Sequence, residues 1–402
     1  AGDDDPKIAF ERYRLGNGLE VILAPDPLVP LVAINVWYHV GSGDEVLHKS
    51  GFAHLFEHML FQGSVNVGED QHFERLKQIG ASGVNGTTNG DRTNYFEVVP
   101  ASELEMGLWL ESDRMGYLLP LVTDKSLTNQ IEVVRNERRQ RIDNVPYGRA
   151  RLKMSELLYP EGHPYRYQTI GQHEDLAGAK LDDVKNFYKT WYVPANATLT
   201  LTGAFDVAEA KAMIEKYFGS FPASEKPAHQ QVAAPSIEAQ RVEVDDDLAK
   251  LRMVTWAWHS PALYAAGDAE LDVVADALSR PGTGRLYKRL VFEERLAQAV
   301  FAQQASQQMS GTFSVGVVLQ TGADLARVEQ IVAEEIARIT REPISQRELD
   351  RTVVSRESGL IWGLEDLMAR ANALQAYNHY LCDPDRFSWD LDRYRTLTPA
   401  AI

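Results

Sequence analysis

The hydrophobic and polar positions along the chain alternate between two periods. From Val29 to Val40 they alternate, with Val32, Ile34, Val36 and Tyr38 on one side, which predicts a strand. Phe10 to Pro25 reads as two short strands around Gly16-Asn17-Gly18, since Asn-Gly favours tight hairpins. Asp70 to Ile79 has helical spacing and ends at Gly80. Ala81 to Val99 is rich in Gly, Asn and Thr and becomes strand-like from Arg92 to Val98. It is either a plain hairpin or an exposed edge strand whose free N–H and C=O groups accept an extended peptide. Further helices are expected over Pro100–Tyr117, with Ser102 as N-cap, and over Asp124–Asn144, Arg149–Leu158 and Asp175–Trp191. A strand through Thr202 and Gly203 follows, and then a helix that Phe205-Asp206 opens and that runs to Tyr217.

The Pro-, Ser- and Ala-rich stretch from Phe221 to Ser236 is the best linker candidate. Beyond it the order repeats in outline: strand Met253–His259, helix Ala266–Leu278, strand Gly311–Leu319, helix Asp324–Ile339, then two helices within Glu348–Asn378. Leu199-Thr-Leu-Thr-Gly-Ala-Phe-Asp and Val317-Val-Leu-Gln-Thr-Gly-Ala-Asp, each leading into a helix, hint at an internal duplication. The expected organisation is a domain over 1–220, a linker over 221–240 and a second domain over 241–402 whose C-terminal tail is incomplete.

One segment breaks the pattern. In Gly51–Ser64, GFAHLFEHMLFQGS, the polar residues His54, Glu57 and His58 are surrounded by Phe52, Ala53, Leu55, Phe56, Met59, Leu60 and Phe61. A helix apolar on all sides is a buried helix, and a carboxylate buried among hydrocarbons needs a compensating partner. His54 and His58, four apart, project from one helix face and can grip one divalent cation, zinc being usual for nitrogen-rich sites. Glu57 borders that face and reaches a metal-bound water without itself being a ligand. This is H-x-x-E-H, the inverted form of the commoner zinc-helix motif. The bland alternative is a cluster of core histidines satisfied by carbonyl groups.

Composition narrows the classes. The net charge of −16 argues against nucleic acid and against anionic membrane surfaces. No apolar run is long enough to span a membrane. The single cysteine, Cys382, excludes an intrachain disulfide. An opening at Ala1 followed by Gly-Asp-Asp-Asp-Pro suits a mature terminus after removal of an export signal, or a trimmed chain, and leans towards a periplasmic or otherwise exported protein.

His54-Leu-Phe-Glu57-His58, preceded by Val40-Gly41-Ser42-Gly43-Asp44-Glu45 and followed by Met59-Leu60-Phe61-Gln62-Gly63-Ser64, resembles the pitrilysin-type (inverzincin) metallopeptidases, in the shorter-chain branch that includes mitochondrial processing peptidase. The resemblance implies an α+β fold of two homologous domains, each a mostly antiparallel sheet with helices packed on it, together forming one half of a clam-shell peptidase. It implies one Zn²⁺ per chain, with Glu57 as the base and peptides or unfolded segments as substrates. The family's third ligand is a Glu in a Val-Val-x-x-Glu context, matched by Val133-Val134-Arg135-Asn136-Glu137, which nominates Glu137 over Glu132. On spacing alone Glu137 would read as one more surface charge. Where the family often has a second Glu seven residues earlier on the same helix face, this chain has Gln130, an amide that can hydrogen-bond but adds no negative charge. Asn85 and Gly86 stand where the family borders the cleft and contacts the substrate main chain.

The half opposite the zinc in that family carries an Arg and a Tyr that assist the reaction. In the resembling segment Ser279–Gln298 the Tyr place holds Gln298 and the Arg place holds Val291 or Phe292, while Arg285 and Tyr287 match the loop portion. The resemblance therefore implies a heterodimer with a homologous subunit supplying Arg and Tyr, in preference to a homodimer. Two competing readings are a structural core subunit, like the peptidase-like core proteins of the respiratory cytochrome bc complex, and a metal-dependent hydrolase of a non-peptide substrate.

Overall fold

A computed structural model describes residues 5–402. The first part contains β1 (Glu11–Arg14), β2 (Glu20–Pro25), β3 (Leu31–Tyr38), α1 (Phe52–Met59), α2 (Gln71–Gln78), β4 (Ser82–Thr88), β5 (Thr93–Pro100), α3 (Leu104–Tyr117), α4 (Asp124–Arg138), α5 (Gly148–Leu158), α6 (His173–Ala177), α7 (Leu181–Trp191), β6 (Ala197–Gly203) and α8 (Val207–Phe218). The second contains β7 (Met253–Ser260), α9 (Asp268–Ser279), β8 (Ala297–Ser306), β9 (Gly311–Leu319), α10 (Leu325–Arg341), α11 (Gln346–Gly363), α12 (Leu367–Leu381) and α13 (Phe387–Arg395). No helix or strand lies between Phe218 and Met253. The fold is α+β with two sheets.

The first sheet has six strands in the order β1-β2-β6-β3-β5-β4, antiparallel except for the β2–β6 pair, with β4 at an edge. The second has three antiparallel strands, β7-β9-β8. Period-2 alternation places Val32, Ile34, Val36 and Tyr38 of β3 in the main core with Phe52, Leu55, Phe56 and Met59 of α1. The other face of the same strand is also buried, beneath α12, which packs across β3 and β6. That contact is polar. Asn35 donates to Asn372 Oδ1 at 2.7 Å, the Gln375 amide donates to the carbonyls of Asn35 and Thr198, and Thr202 Oγ1 donates to the Leu367 carbonyl. A helix late in the chain therefore closes the first sheet. A second junction joins the halves at Asp91, whose carboxylate accepts from Tyr165 Oη at 2.5 Å, Tyr380 Oη at 3.0 Å and the Gln308 N–H at 3.0 Å.

Four expectations change. Ser102 lies in a 3₁₀ turn, Ala101–Glu103, and makes no cap; α3 starts two residues later. The helix expected over Asp175–Trp191 is two, α6 and α7, separated at Gly178. The charged helix from Asp124 is α-helical to Arg138 and widens into a π-helical turn over Arg139–Asp143. Strand β8 and helix α13 are additional.

Within the polar contact, His39 and His379 stack at 4.9 Å between ring centroids, and their Nδ1 atoms lie 2.6 Å apart, one donating to the other. His39 Nε2 bonds Thr198 Oγ1 at 2.9 Å. Burial, with the positive charge of Lys226 and then His229 and Arg14 in the field, pulls His39 down to about 3. Burial, then His39, His229, Lys226 and Arg92, pulls His379 well below its ordinary value. Both rings are thus held neutral in the folded protein. The unfolded chain takes up protons below about pH 6.5 and the folded one does not, so folding stability is complete above that pH and declines as pH falls towards 3. The expected slope is up to about 1.4 kcal/mol per pH unit for each imidazole. Denaturant unfolding between pH 8 and pH 5 should show this decline, and the double variant His39→Gln/His379→Gln should flatten it. Equal slopes in the two proteins would contradict the assignment.

Candidate metal centre

Helix α1 begins at Gly51, whose φ of +90° is open to glycine at little cost. Its first N–H groups need acceptors that a helix cannot supply itself. Glu45 supplies them: its carboxylate accepts from the Gly51 N–H and the Ala53 N–H, each at 2.9 Å. The apolar side chains of α1 then lock its rotation. Phe56 stacks on Phe187 at 5.7 Å and lies 5.3 Å from the Tyr192 ring, while Tyr95 Oη donates to the Phe56 carbonyl. With that face buried, His54, Glu57 and His58 are directed towards α4 and β4.

His54 Nε2 and His58 Nε2 converge on one oxygen of Glu137, at 3.6 and 3.2 Å from Oε2. The donor atoms of these three residues all lie within 4.8 Å of one another, and among the described residues no other group of three His, Cys, Asp or Glu side chains is drawn together in this way. The second oxygen of Glu137 is engaged by Arg141 at 2.9 Å. The hydrogen bond from His58 keeps the Glu137 carboxyl below the usual carboxylate range. Burial, with the neighbouring His58 ring, pulls His54 down to about 4, so its neutral form is favoured. Neutral imidazole and ionised carboxylate are the forms that bind metal. Two imidazole nitrogens and a carboxylate oxygen, all within 4.8 Å of one another, make a donor set found in catalytic zinc sites. The residues fit a zinc ion.

Glu57 is held from the side. Its Oε2 accepts from Thr88 Oγ1 at 2.5 Å, and burial raises its pKa while that hydrogen bond opposes the rise. Gly86 packs directly beneath it, where a Cβ would come within 3.0 Å of Glu57 Cγ. Asn85, next along β4, is exposed on the sheet edge, with its Oδ1 accepting from the Gly86 N–H at 2.9 Å. Gln130 is buried on α4 two turns before Glu137 and makes no hydrogen bond to any of the three converging side chains. Glu132 pairs with Arg135 instead.

In the second half, Gln298 is the extra residue of a bulge in β8, between Ala297 and Ala299, and points to solvent. Phe292 is 75% exposed. Arg285 is a structural clasp: its guanidinium binds Glu348 through two bonds of 2.8 and 3.0 Å, which hold that carboxyl down to about 2. Three residues escaped the sequence reading. Thr88 reaches Glu57 only through tertiary packing, Glu45 caps a helix six residues away, and Arg141 had a signal in its i,i+4 spacing to Glu137.

Residues 20–149 match the family described as Insulinase (Peptidase family M16), and residues 179–354 match Peptidase M16 inactive domain. The chain belongs to peptidase family M16. All four residues of the centre fall in the first match. Among M16 relatives, zinc protease PqqE of Helicobacter pylori is 28% identical over 365 residues, covering 88% of this chain and 80% of the relative. The mitochondrial-processing peptidase subunit beta of Lentinula edodes is 21% identical, over 90% and 79% of the two chains. The crystal structure of a protease from Helicobacter pylori superposes with a TM-score of 0.90 at 25% identity, over 98% of this chain and 95% of that one.

The cap at Glu45 gives a direct stability test. Glu45→Ala removes the acceptor of two N–H groups at the start of α1 and is expected to destabilise the protein by about 2 kcal/mol. Urea unfolding reads this; an unchanged midpoint would contradict the capping role.

Proposed function

We propose that this M16 chain is the zinc-bearing subunit of an endopeptidase that hydrolyses peptides or unfolded segments between two related halves. The observation that carries the reading is the convergence of His54, His58 and Glu137, with the carboxylate of Glu57 fixed beside them. His54 Nε2, His58 Nε2 and Glu137 Oε2 would hold one Zn²⁺ per chain. When bound, the metal would supply Lewis acidity to the substrate carbonyl and to water.

The chain's own residues divide the remaining work. Thr88 occupies Oε2 of Glu57, so Oε1 is the oxygen left to take a proton. Burial makes that carboxyl a stronger base than an exposed Glu, nearer the pKa that general base catalysis needs. Glu57 takes a proton from the attacking water as the water oxygen bonds to the scissile carbon, and delivers it to the amide nitrogen as the C–N bond breaks. A substrate in extended form would lie along the free edge of β4, beside Asn85 and Gly86, by strand addition. Gln130 would lie behind the ligands without adding negative charge.

The assisting Arg and Tyr would come from a homologous partner in a heterodimer. What supports this is the chemistry of the corresponding surface here: an amide at Gln298 and an exposed phenyl ring at Phe292 cannot stabilise developing negative charge as a guanidinium or phenol does. A homodimer would repeat the deficiency. The structural-subunit reading has one observation in its favour, the inactive-domain match over 179–354, but that segment contains none of the four residues of the centre.

Glu57→Gln is expected to retain zinc while lowering peptide cleavage by about 10²- to 10⁴-fold, measured on the chain alone and with its co-purifying homologue. Chelation should remove the activity of the unaltered protein. Full turnover by Glu57→Gln, or by metal-free protein, would overturn the proposal.

A further inference from the structure

The two imidazoles and the third donor stand on different helices, α1 and α4, which pack on each other, so the gap between the donors depends on what fixes one helix against the other. One short segment, residues 170–175, touches both. On the α1 side, the Asp175 carboxylate accepts from Ser50 Oγ at 2.5 Å and from the Ser50 N–H at 3.1 Å, and Ser50 Oγ accepts from the Gln172 N–H at 3.0 Å. Gly51 and Gly171 lie backbone to backbone. A Cβ on Gly171 would come within 2.5 Å of Gly51 Cα, and one on Gly51 within 2.9 Å of Gly171 Cα. Neither position admits a larger residue without opening the contact.

On the α4 side, Arg138, the residue after Glu137, is buried and donates through its guanidinium to the Gly171 carbonyl. Its Nε also lies 3.5 Å from Asp143. Asp143 closes the π-helical turn and is bonded to His173 Nε2 at 2.7 Å, while Arg135 Nε reaches His173 Nδ1 at 3.4 Å. The helix therefore stops being α-helical one residue past Glu137, where its side chains turn to grip this segment. Interruptions of this kind gather at functional sites.

We infer that residues 170–175 form a clip, closed by Arg138 on one side and Asp175 on the other, that sets the spacing between the His54–His58 pair and Glu137 and so determines how tightly a metal is held. Arg138 and Asp175 are positioning residues. The inference rests on the zinc-peptidase reading and adds a role for side chains that contact neither metal nor substrate.

The test is zinc affinity by competition with a chromogenic chelator, together with the visible absorption of the Co²⁺-substituted protein, on the full chain. Arg138→Lys and Asp175→Asn should each weaken zinc binding by about tenfold or more and shift the cobalt spectrum, with Arg327→Ala, which removes only an exposed ion pair to Glu294, within about threefold of the unaltered protein. Circular dichroism confirms that each variant is folded, and if Arg138→Lys does not fold, Asp175→Asn decides. Folded variants with unaltered affinity and spectrum would overturn the clip alone. Failure of the unaltered chain to bind zinc would instead overturn the functional reading on which it rests.

Discussion

Two imidazoles and a carboxylate placed on a helix whose remaining side chains are buried cannot be left without a counterpart. Desolvation of an ionised carboxylate is among the larger penalties in a protein interior, and neutral imidazoles need donors or acceptors. Three arrangements answer that constraint. Glu137 arrives from α4 to meet both ring nitrogens, Thr88 arrives from the edge strand to bind Glu57, and Glu45 satisfies the start of the helix itself. The aromatic packing of Phe56 against Phe187 and Tyr192 leaves the helix no other rotation.

The two halves contribute unequally. The first holds all the converging donors, while the second closes the first sheet through α12 and fixes the turn that joins β4 to β5 through Asp91. These contacts combine amide, hydroxyl and imidazole groups with small apolar patches such as Leu374 against Ile22 and Ala24. Each polar group is specific in direction, so the polar contact defines one placement of α12 on the sheet where an apolar one would tolerate sliding. The turn at the end of the edge strand beside the centre is thus anchored by the half of the chain that carries no donors.

The sequence made part of this legible. The His54–Glu57–His58 spacing and the alternation in β3 are short-range patterns tied directly to helix and strand periods, and both survive in the fold. Val-Val-x-x-Glu pointed to Glu137 only through resemblance, because its helix is charged and amphipathic in an ordinary way. Strand β8 was hidden by its Ala and Gln content and by the bulge at Gln298, which breaks the period of two. Thr88, Arg138 and Asp175 carry no local signal at all: a hydroxyl, a guanidinium in an Arg-rich run and one of many acids acquire their roles only when distant segments meet. Ser102 shows the converse, a good capping residue that the 3₁₀ turn takes out of position.

The central claim is that one cation is held jointly by two residues of α1 and one of α4. Anomalous diffraction at the zinc absorption edge, from crystals of the chain grown with stoichiometric Zn²⁺, tests it directly. The account predicts a single peak bounded by His54 Nε2, His58 Nε2 and Glu137 Oε2. A peak elsewhere, or one bound to the two histidines with Glu137 turned away and no other acid in its place, would contradict it.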